Sequence, residues 1–285
     1  MTTILPNVRE LLSTALGTEG QLLIPRKIAD TLVQEVEKVL IPRSEAALFY
    51  GPSDIPGSSI DIDLATPNSM AVRQTAEGAN ITIDQEEYTS FNMKPVKFAV
   101  GLRITREMLE DAKWNLLDMN VRLAGKRLAE NENSLVISDA LDQAANTVAG
   151  GATVTIANIT RAIQHLRDED YTPTTYAIGN EVLNDLQNID TFVEANKVGN
   201  TDMLQRGFLG TLYGMNVLLV STNAGMTTTS SYVFDNTQAY VIAEKRAMTV
   251  EGFELPSNDM SAVSVTQRLK VRQLRAEAIA KITSS

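Results

Sequence analysis

The most regular hydrophobic pattern in the chain has a helical period and lies in residues 114–137. Its apolar members share one side of a helix and are Leu117, Val121, Ala124, Leu128 and Leu135, with Leu116 and Leu123 beside them. The polar positions expected on the solvated side are Arg122, Lys126, Glu130 and Asn133. At about 1.5 Å per residue this helix spans roughly 35 Å. The pattern predicts a long spine helix, although alone it is more typical of a core helix in a globular enzyme.

A second pattern, with the period of a β-strand, precedes this helix in residues 51–92. Its alternating apolar positions are Ile60, Ile62 and Leu64, and then Ile81 and Ile83 after a turn at 66–69. The segment holds seven acidic residues against Arg73 alone, a net charge of −6. Because an isolated two-stranded ribbon is marginally stable in water, its apolar side is expected to be covered by a neighbouring molecule.

Strand patterns also flank the helix. In residues 93–104 the positions of one parity are apolar, and a similar long alternation returns after Glu244. The later strands are expected to pair with the 93–104 strand, and a change of parity near Gln273 predicts a bulge. Between them, residues 147–243 hold short helix and strand patterns that begin after a flexible break at 147–152.

The first 50 residues contain two short helical patterns, at 7–16 and after Pro25, with little core of their own. The sequence therefore predicts an α+β fold in four parts. These are an N-terminal arm at 1–50, an extended loop at 51–92, a discontinuous unit at 93–146 and 244–285, and an inserted unit at 147–243.

Composition narrows the function classes. The chain of 285 residues carries a net charge of −10, which disfavours sequence-independent binding of nucleic acid by the folded body, although a local basic patch can still contact it. It contains no cysteine and one histidine, His165, which excludes disulfides, thiolate metal sites and a multi-histidine site. No apolar run is long enough to span a bilayer and no secretory signal is visible, so we expect a protein that is made and used without export.

No catalytic constellation is present in the sequence. Neither GxxxxGK[ST] nor GxGxxG occurs, so the glycine loops that cradle phosphates are missing, and neither an enzyme nor a cofactor is expected. The acids Asp61, Asp63, Glu77 and Asp84 can in principle gather around a hard cation. Since they lie on the wet face of a ribbon, a solvated or salt-bridging role is the stronger interpretation. A metal-dependent enzyme that uses Asp61, Asp63 and Asp84 is the competing hypothesis.

The order of these parts resembles the major capsid proteins of tailed viruses with the Hong Kong 97 fold. The acidic hairpin is followed by MKPVKFAV at 93–100, ITREMLEDA at 104–112, and the long helix with AENE at 129–132. The later stretches YAIGN at 176–180 and VLLVST at 217–222 resemble strands of that family's axial domain. No single motif is specific, and the resemblance depends on order and spacing across nearly the whole chain after Leu22.

The resemblance implies a peripheral domain that contains the spine helix and an axial domain at 147–243. It also implies hexamers and pentamers that close an icosahedral shell around double-stranded DNA in the virion, assembled in the host cytoplasm. Scaffolding, portal and cement proteins are further partners that it allows. Residues 51–92 contain no lysine, so the covalent loop cross-link of some relatives is not expected here. An encapsulin-like compartment with the same fold and a different cargo is the alternative.

For the mechanism we expect contacts between subunits and no chemistry. The extended loop is expected to lie over an adjacent copy, where its acids Asp61, Asp63, Glu77 and Asp84 face basic residues and Arg73 pairs in the opposite sense. Exposed ion pairs each contribute about 0–1 kcal/mol, but a closed shell repeats them many times. Assembly is therefore expected to depend on ionic strength.

Overall fold

The computed structural model describes residues 41, 43–65, 71–85, 87–105, 116–188, 210–255 and 260–284. The predicted arm helices, the short helix after Thr105 and the predicted first turn of the spine helix at Trp114 lie outside these ranges. The helices are α1 Leu116–Asp139, α2 Ile156–Asp168 and α3 Asn180–Gln187. The strands are β1 Leu48–Tyr50, β2 Ile60–Ala65, β3 Tyr88–Met93, β4 Val96–Thr105, β5 Asn146–Gly151, β6 Thr175–Ile178, β7 Thr211–Leu212, β8 Met215–Leu219, β9 Ser230–Phe234, β10 Tyr240–Leu255, β11 Met260–Gln273 and β12 Ile279–Ser284.

One sheet has the strand order β1-β10-β11-β4, with β11 antiparallel to both of its neighbours. Helix α1 packs on this sheet, and their shared core contains Val121, Ala124, Leu128, Val263 and Val265. The alternation predicted for the 93–104 strand is confirmed at its centre, since Phe98, Val100 and Leu102 pack against the same core, whereas Val96 at its start is exposed. The long helix and the strand before it therefore form because each presents one apolar side to the other.

A second sheet has the strand order β5-β12-β9-β6-β8-β7 and is packed against α2. Its last strand in the chain, β12, pairs with β5 and β9, although the sequence assigned that segment to strands beside the spine helix. The change of parity near Gln273 is the end of β11, after which the chain crosses from one sheet to the other. A bulge was therefore the wrong interpretation. The division of the chain into domains stays a prediction.

The flexible break predicted at 147–152 is instead β5, the parallel neighbour of β12. The glycines that suggested flexibility allow close packing here, because a Cβ on Gly150 would lie 3.0 Å from the Thr283 carbonyl oxygen. Gly151 has a φ of +69°, a conformation that glycine adopts without strain.

The surface pattern of the spine helix differs from the prediction in its second half. Glu130 and Asn133 were expected on the solvated side, but both are buried, whereas Leu123 on the expected apolar side is exposed. The cause is that this half of α1 is covered on more than one side. Val136 and Ile137 enter a second core with strands of both sheets, and the short helix Thr222–Ala224 ends against the helix at Ser134.

The contact at Ser134 gives a stability prediction for Gly225. Its φ is +88°, and a Cβ there would lie 2.8 Å from the Cα of Ser134. Because both strain and overlap oppose a side chain, Gly225→Ala should lower the free energy of unfolding by about 2–4 kcal/mol. Urea denaturation followed by circular dichroism measures this change.

The matched control is Gly101→Ala, where the added Cβ meets nothing within 4 Å, with an expected change below about 1 kcal/mol. Equal effects of the two substitutions would contradict the packing argument.

Candidate subunit-interaction site

The root of the extended loop is a two-stranded antiparallel ladder of β2 and β3. The apolar side of the ladder is buried at Ile62 and packs with Ile55, Met93, Val241 and Ala243. This confirms the predicted alternation of β2. The expectation that a neighbouring molecule covers the apolar side of the ribbon is wrong for this ladder, because the body of the same chain covers it. Asp61 and Asp63 lie on the exposed side, and the Asn92 amide donates a hydrogen bond of 2.6 Å to Asp61.

The tip of the loop, residues 71–85, is not a strand, although the sequence predicted alternation at Ile81 and Ile83. Both side chains are exposed, as is Val72. The tip is held by Asp84, whose carboxylate accepts hydrogen bonds from the Ala71 backbone N–H at 3.2 Å and from Arg73 at 3.1 Å. A turn at Gly78, with φ +78°, reverses the chain beside the exposed Glu77.

The predicted site residues are therefore distributed along the loop. Arg73 and Asp84 form an ion pair within the chain, while Asp61, Asp63 and Glu77 face solvent. Within the described ranges, no group of three Asp, Glu or His side chains is arranged to hold a metal ion. The metal-dependent enzyme built on Asp61, Asp63 and Asp84 therefore has no assembled site in the described residues. In the described segments, no helix combines the length and the apolar character that crossing a membrane requires.

The loop root is attached to the C-terminal part of the chain by two arginines that the sequence reading missed. The Arg272 guanidinium lies 4.5 Å from the ring centroid of Phe91, a cation–π contact. Arg275 donates a hydrogen bond of 3.0 Å to the Ala65 carbonyl at the other strand of the ladder. These contacts fix both strands at their exit from the body. No spacing in the sequence pairs residues so far apart in the chain.

A buried ionic cluster, which the sequence reading also missed, attaches the end of the arm. Arg43 donates hydrogen bonds to Glu132 of α1 at 2.9 and 3.0 Å and to Glu244 of β10 at 3.1 and 3.2 Å. The Gln267 amide of β11 donates to both carboxylates. Nearby, the backbone N–H of Ile41 donates to the buried side chain of Asn133 at 2.9 Å. We call Arg43, Glu132, Glu244 and Gln267 the arm junction.

The electrostatics of the arm junction depend on one cation. Burial lowers the pKa of the Arg43 guanidinium, but hydrogen bonds and charges from Glu132 and Glu244 outweigh it, so the pKa lies above its ordinary value. Burial raises the pKa of the neighbouring Tyr240 hydroxyl, and the charges of Glu45 and Glu132 raise it further. The surroundings are thus acidic, and Arg43 supplies the neutralising charge.

A comparison with protein families identifies what kind of chain carries this loop and arm junction. The family model described as "Phage capsid protein" matches residues 88–282, more than half of the sequence. The chain belongs to the phage capsid protein family. The match begins at β3 and includes the spine helix and every strand of the two large sheets except β1 and the last two residues of β12. No curated protein matches the sequence significantly.

Solved structures with the same fold include phage capsids. The mature capsid of bacteriophage PhiM1 matches with a TM-score of 0.66 at 10% identity, covering 86% of this capsid protein and 87% of that chain. A chain of Microbacterium phage Oxtober96 matches at 0.64 and 14% identity, covering 85% and 90%. A virus-like particle from Pyrococcus furiosus matches at 0.58 and 15% identity, covering 90% and 98%. The predicted resemblance to the major capsid proteins of tailed viruses is confirmed, and the mixed helix-and-sheet fold is that of phage capsid structures.

The arm junction gives a second stability prediction. Replacing Arg43 by alanine leaves Glu132 and Glu244, whose side chains are 2% and 5% exposed, facing each other without a cation. Breaking a fully buried ion pair costs about 3–5 kcal/mol, and because the Arg43 side chain is 33% exposed we expect a smaller loss, about 2–3 kcal/mol. Urea denaturation of the variant capsid protein measures it.

The control for this variant is Lys270→Ala, which removes the half-exposed pair with Asp139. Its expected cost is about 0–1 kcal/mol, the range of surface ion pairs. If Arg43→Ala cost no more than this control, the arm junction would not be a stabilising element.

Proposed function

We propose that this protein is the major capsid protein of a tailed phage with the Hong Kong 97 type of fold. Copies assemble as hexamers and pentamers into an icosahedral shell that encloses double-stranded DNA. The shell is held by non-covalent contacts of the extended loop and the arm, since residues 51–92 contain no lysine for a cross-link. The protein acts in the virion after assembly in the host cytoplasm, as a structural component with no catalytic step.

The observation that carries this proposal is the exposed apolar tip of the extended loop. Val72 is fully exposed and Ile83 is 92% exposed, and residues 71–85 contain no strand that could cover them. Covering one such side chain contributes about 1.5–3 kcal/mol. A loop of this composition is stable where an adjacent copy provides the cover, which is the arrangement the family resemblance implies.

The charges of the loop support the same arrangement. Asp61, Asp63 and Glu77 are exposed, while Arg73 and Asp84 already neutralise each other within the chain. The proposal therefore assigns the contact with a neighbouring copy to the exposed acids, and gives Arg73 the role of shaping the tip. Pairing of Arg73 with an acid of another copy, which the sequence suggests, stays a prediction for the assembled shell.

A cellular compartment is the second candidate function. Its motivation is the likeness in fold to a particle described as virus-like whose source is a cell, Pyrococcus furiosus. Both functions require the same closed shell and differ in its contents. An encapsulin-like shell would hold protein cargo, whereas a phage capsid would hold DNA.

The first test is electron microscopy of the purified full-length protein. We expect closed shells or capsomers, because the exposed loop tip requires a neighbour. A compact monomer at every salt and protein concentration would contradict both candidate functions. Particles isolated from the native source then distinguish them, since a nuclease-protected DNA genome supports the capsid and protein cargo without DNA supports the compartment.

A variant of the loop tip tests the contact itself. Arg73→Glu replaces the ion pair with Asp84 by repulsion between two carboxylates, so the tip should open and fewer shells should form. Because the pair is on the surface, the free energy of unfolding should change by less than about 1 kcal/mol. Sedimentation analysis gives the assembled fraction. The double variant Arg73→Glu/Asp84→Arg restores the pair but removes the acceptor of the Ala71 N–H, so it should restore assembly in part. Normal shells from the single variant would refute the role.

A further inference from the structure

Five cations surround an open pocket of about 610 Å³ on the four-stranded sheet, at the foot of the extended loop. They are Lys94, Lys97, Lys245, Arg246 and Arg268. None of the described residues that line the pocket is acidic, although the chain as a whole carries a net charge of −10. We call this surface the basic pocket.

The basic pocket contains an unfavourable arrangement of like charges. Arg246 of β10 lies opposite Arg268 of β11, and Arg268 lies opposite Lys97 of β4. Like charges directly opposite each other on neighbouring strands are destabilising. Shifts in register on both sides of Arg246 mark an irregularity of the kind that re-aims a side chain. Three strands thus bring three cations into one row.

Contacts within the chain satisfy only part of this cluster. The Arg268 Nε donates to the Pro95 carbonyl at 3.0 Å, and Lys245 donates to the Ile55 carbonyl. Lys94, Lys97 and Arg246 form no ion pair within the described part of the chain. The Nε of Arg246 is buried and has no acceptor among the described residues. A buried N–H group without an acceptor is costly, so this group favours an acceptor that the described part of the chain does not supply.

We propose that the basic pocket binds carboxylates from the acidic extended loop of a second copy of this chain. This inference rests on the proposed function and names the surface that receives the loop. The charges are complementary, because residues 51–92 carry −6 and the pocket is lined by cations alone among its charged residues. Asp63 and Glu77 are exposed and have no ion pair within the described residues, so they are available as the anions.

Two further observations favour a loop from another copy as the occupant. Val96 in the pocket is 52% exposed, which gives an apolar contact point for the exposed apolar side chains of the loop tip. The tip of the same chain lies away from the pocket, since the six-residue ladder of β2 and β3 separates it from Lys94 by roughly 20 Å.

The test uses charge reversal of the full-length protein in three variants. The pocket variant is Lys94→Glu/Lys97→Glu, the loop variant is Asp63→Lys/Glu77→Lys, and the swap variant combines all four. The control is Lys126→Glu/Arg161→Glu, which makes the same charge change at exposed positions on α1 and α2. These surface substitutions should change the free energy of unfolding by less than about 1 kcal/mol each, which thermal unfolding checks.

At moderate ionic strength we expect the pocket variant and the loop variant each to lower the assembled fraction about tenfold relative to the control, as close charge pairs across interfaces do. The swap variant should restore assembly, since the two charges exchange partners. A pocket variant that assembles like the control, or a swap variant that restores nothing, overturns the proposal. Normal shells that package less nucleic acid would overturn it in favour of phosphate binding. Wild-type protein that forms no shells would instead contradict the proposed function.

Discussion

Arg43 holds together two buried carboxylates, Glu132 on the spine helix and Glu244 on β10, that would repel each other without it. The helix, the long hairpin of β10 and β11, and the end of the arm all meet at this cation, because Gln267 of β11 donates to the same carboxylates. Hydrophobic packing alone permits a helix to slide on a sheet, whereas a hydrogen-bonded ionic cluster has one geometry. The relative position of these three elements therefore depends on the arm junction.

The second sheet is linked to the same place. Glu45, in the turn after Arg43, is buried and accepts a hydrogen bond from the Thr175 hydroxyl of β6. The hydroxyl of Tyr232 on β9 donates at 2.6 Å to Asp142, just after the spine helix. The short polar segment Arg43–Glu45 near the end of the arm thus contacts both sheets. Displacement of the arm would therefore break contacts with the spine helix and with both sheets together.

The sequence was sufficient to predict those elements whose buried residues recur at one regular interval. The apolar side of α1 at Val121, Ala124 and Leu128 and the alternation of β4 follow from one covering surface each, so their patterns are regular. The same logic failed where an element has several neighbours, as at Glu130 and Asn133, which are buried because the arm and the sheets cover more than one side of the helix. A regular hydrophobic period arises when an element is buried on one side, and burial on a second side makes the pattern irregular.

The assignment of β12 and the role of Arg43 failed for a different reason. Strand pairing and ion pairing join residues far apart in sequence, such as Ala280 with Asn146 and Arg43 with Glu132. Nothing local distinguishes an arginine that will be buried from one that stays solvated. The candidate site was predictable in its acidic character and in the alternation of β2, but the ion pair of Arg73 with Asp84 and the basic pocket required the folded chain.

The single chain contains two features that are unfavourable in isolation and that the proposed contact would satisfy together. The extended loop exposes apolar side chains and acids that form no ion pair with the described residues. The basic pocket aligns cations across three strands, and the buried Arg246 Nε has no acceptor in the described part of the chain. A monomer could remove either cost with a lysine in the loop or an acid in the pocket, and this sequence does neither. In the proposed contact, the exposed acids toward the loop tip and the cations of the basic pocket find their partners in a second copy. Because each contact is weak and screened by salt, subunits can dissociate and rebind until the shell closes, and the repetition of many such contacts then stabilises it.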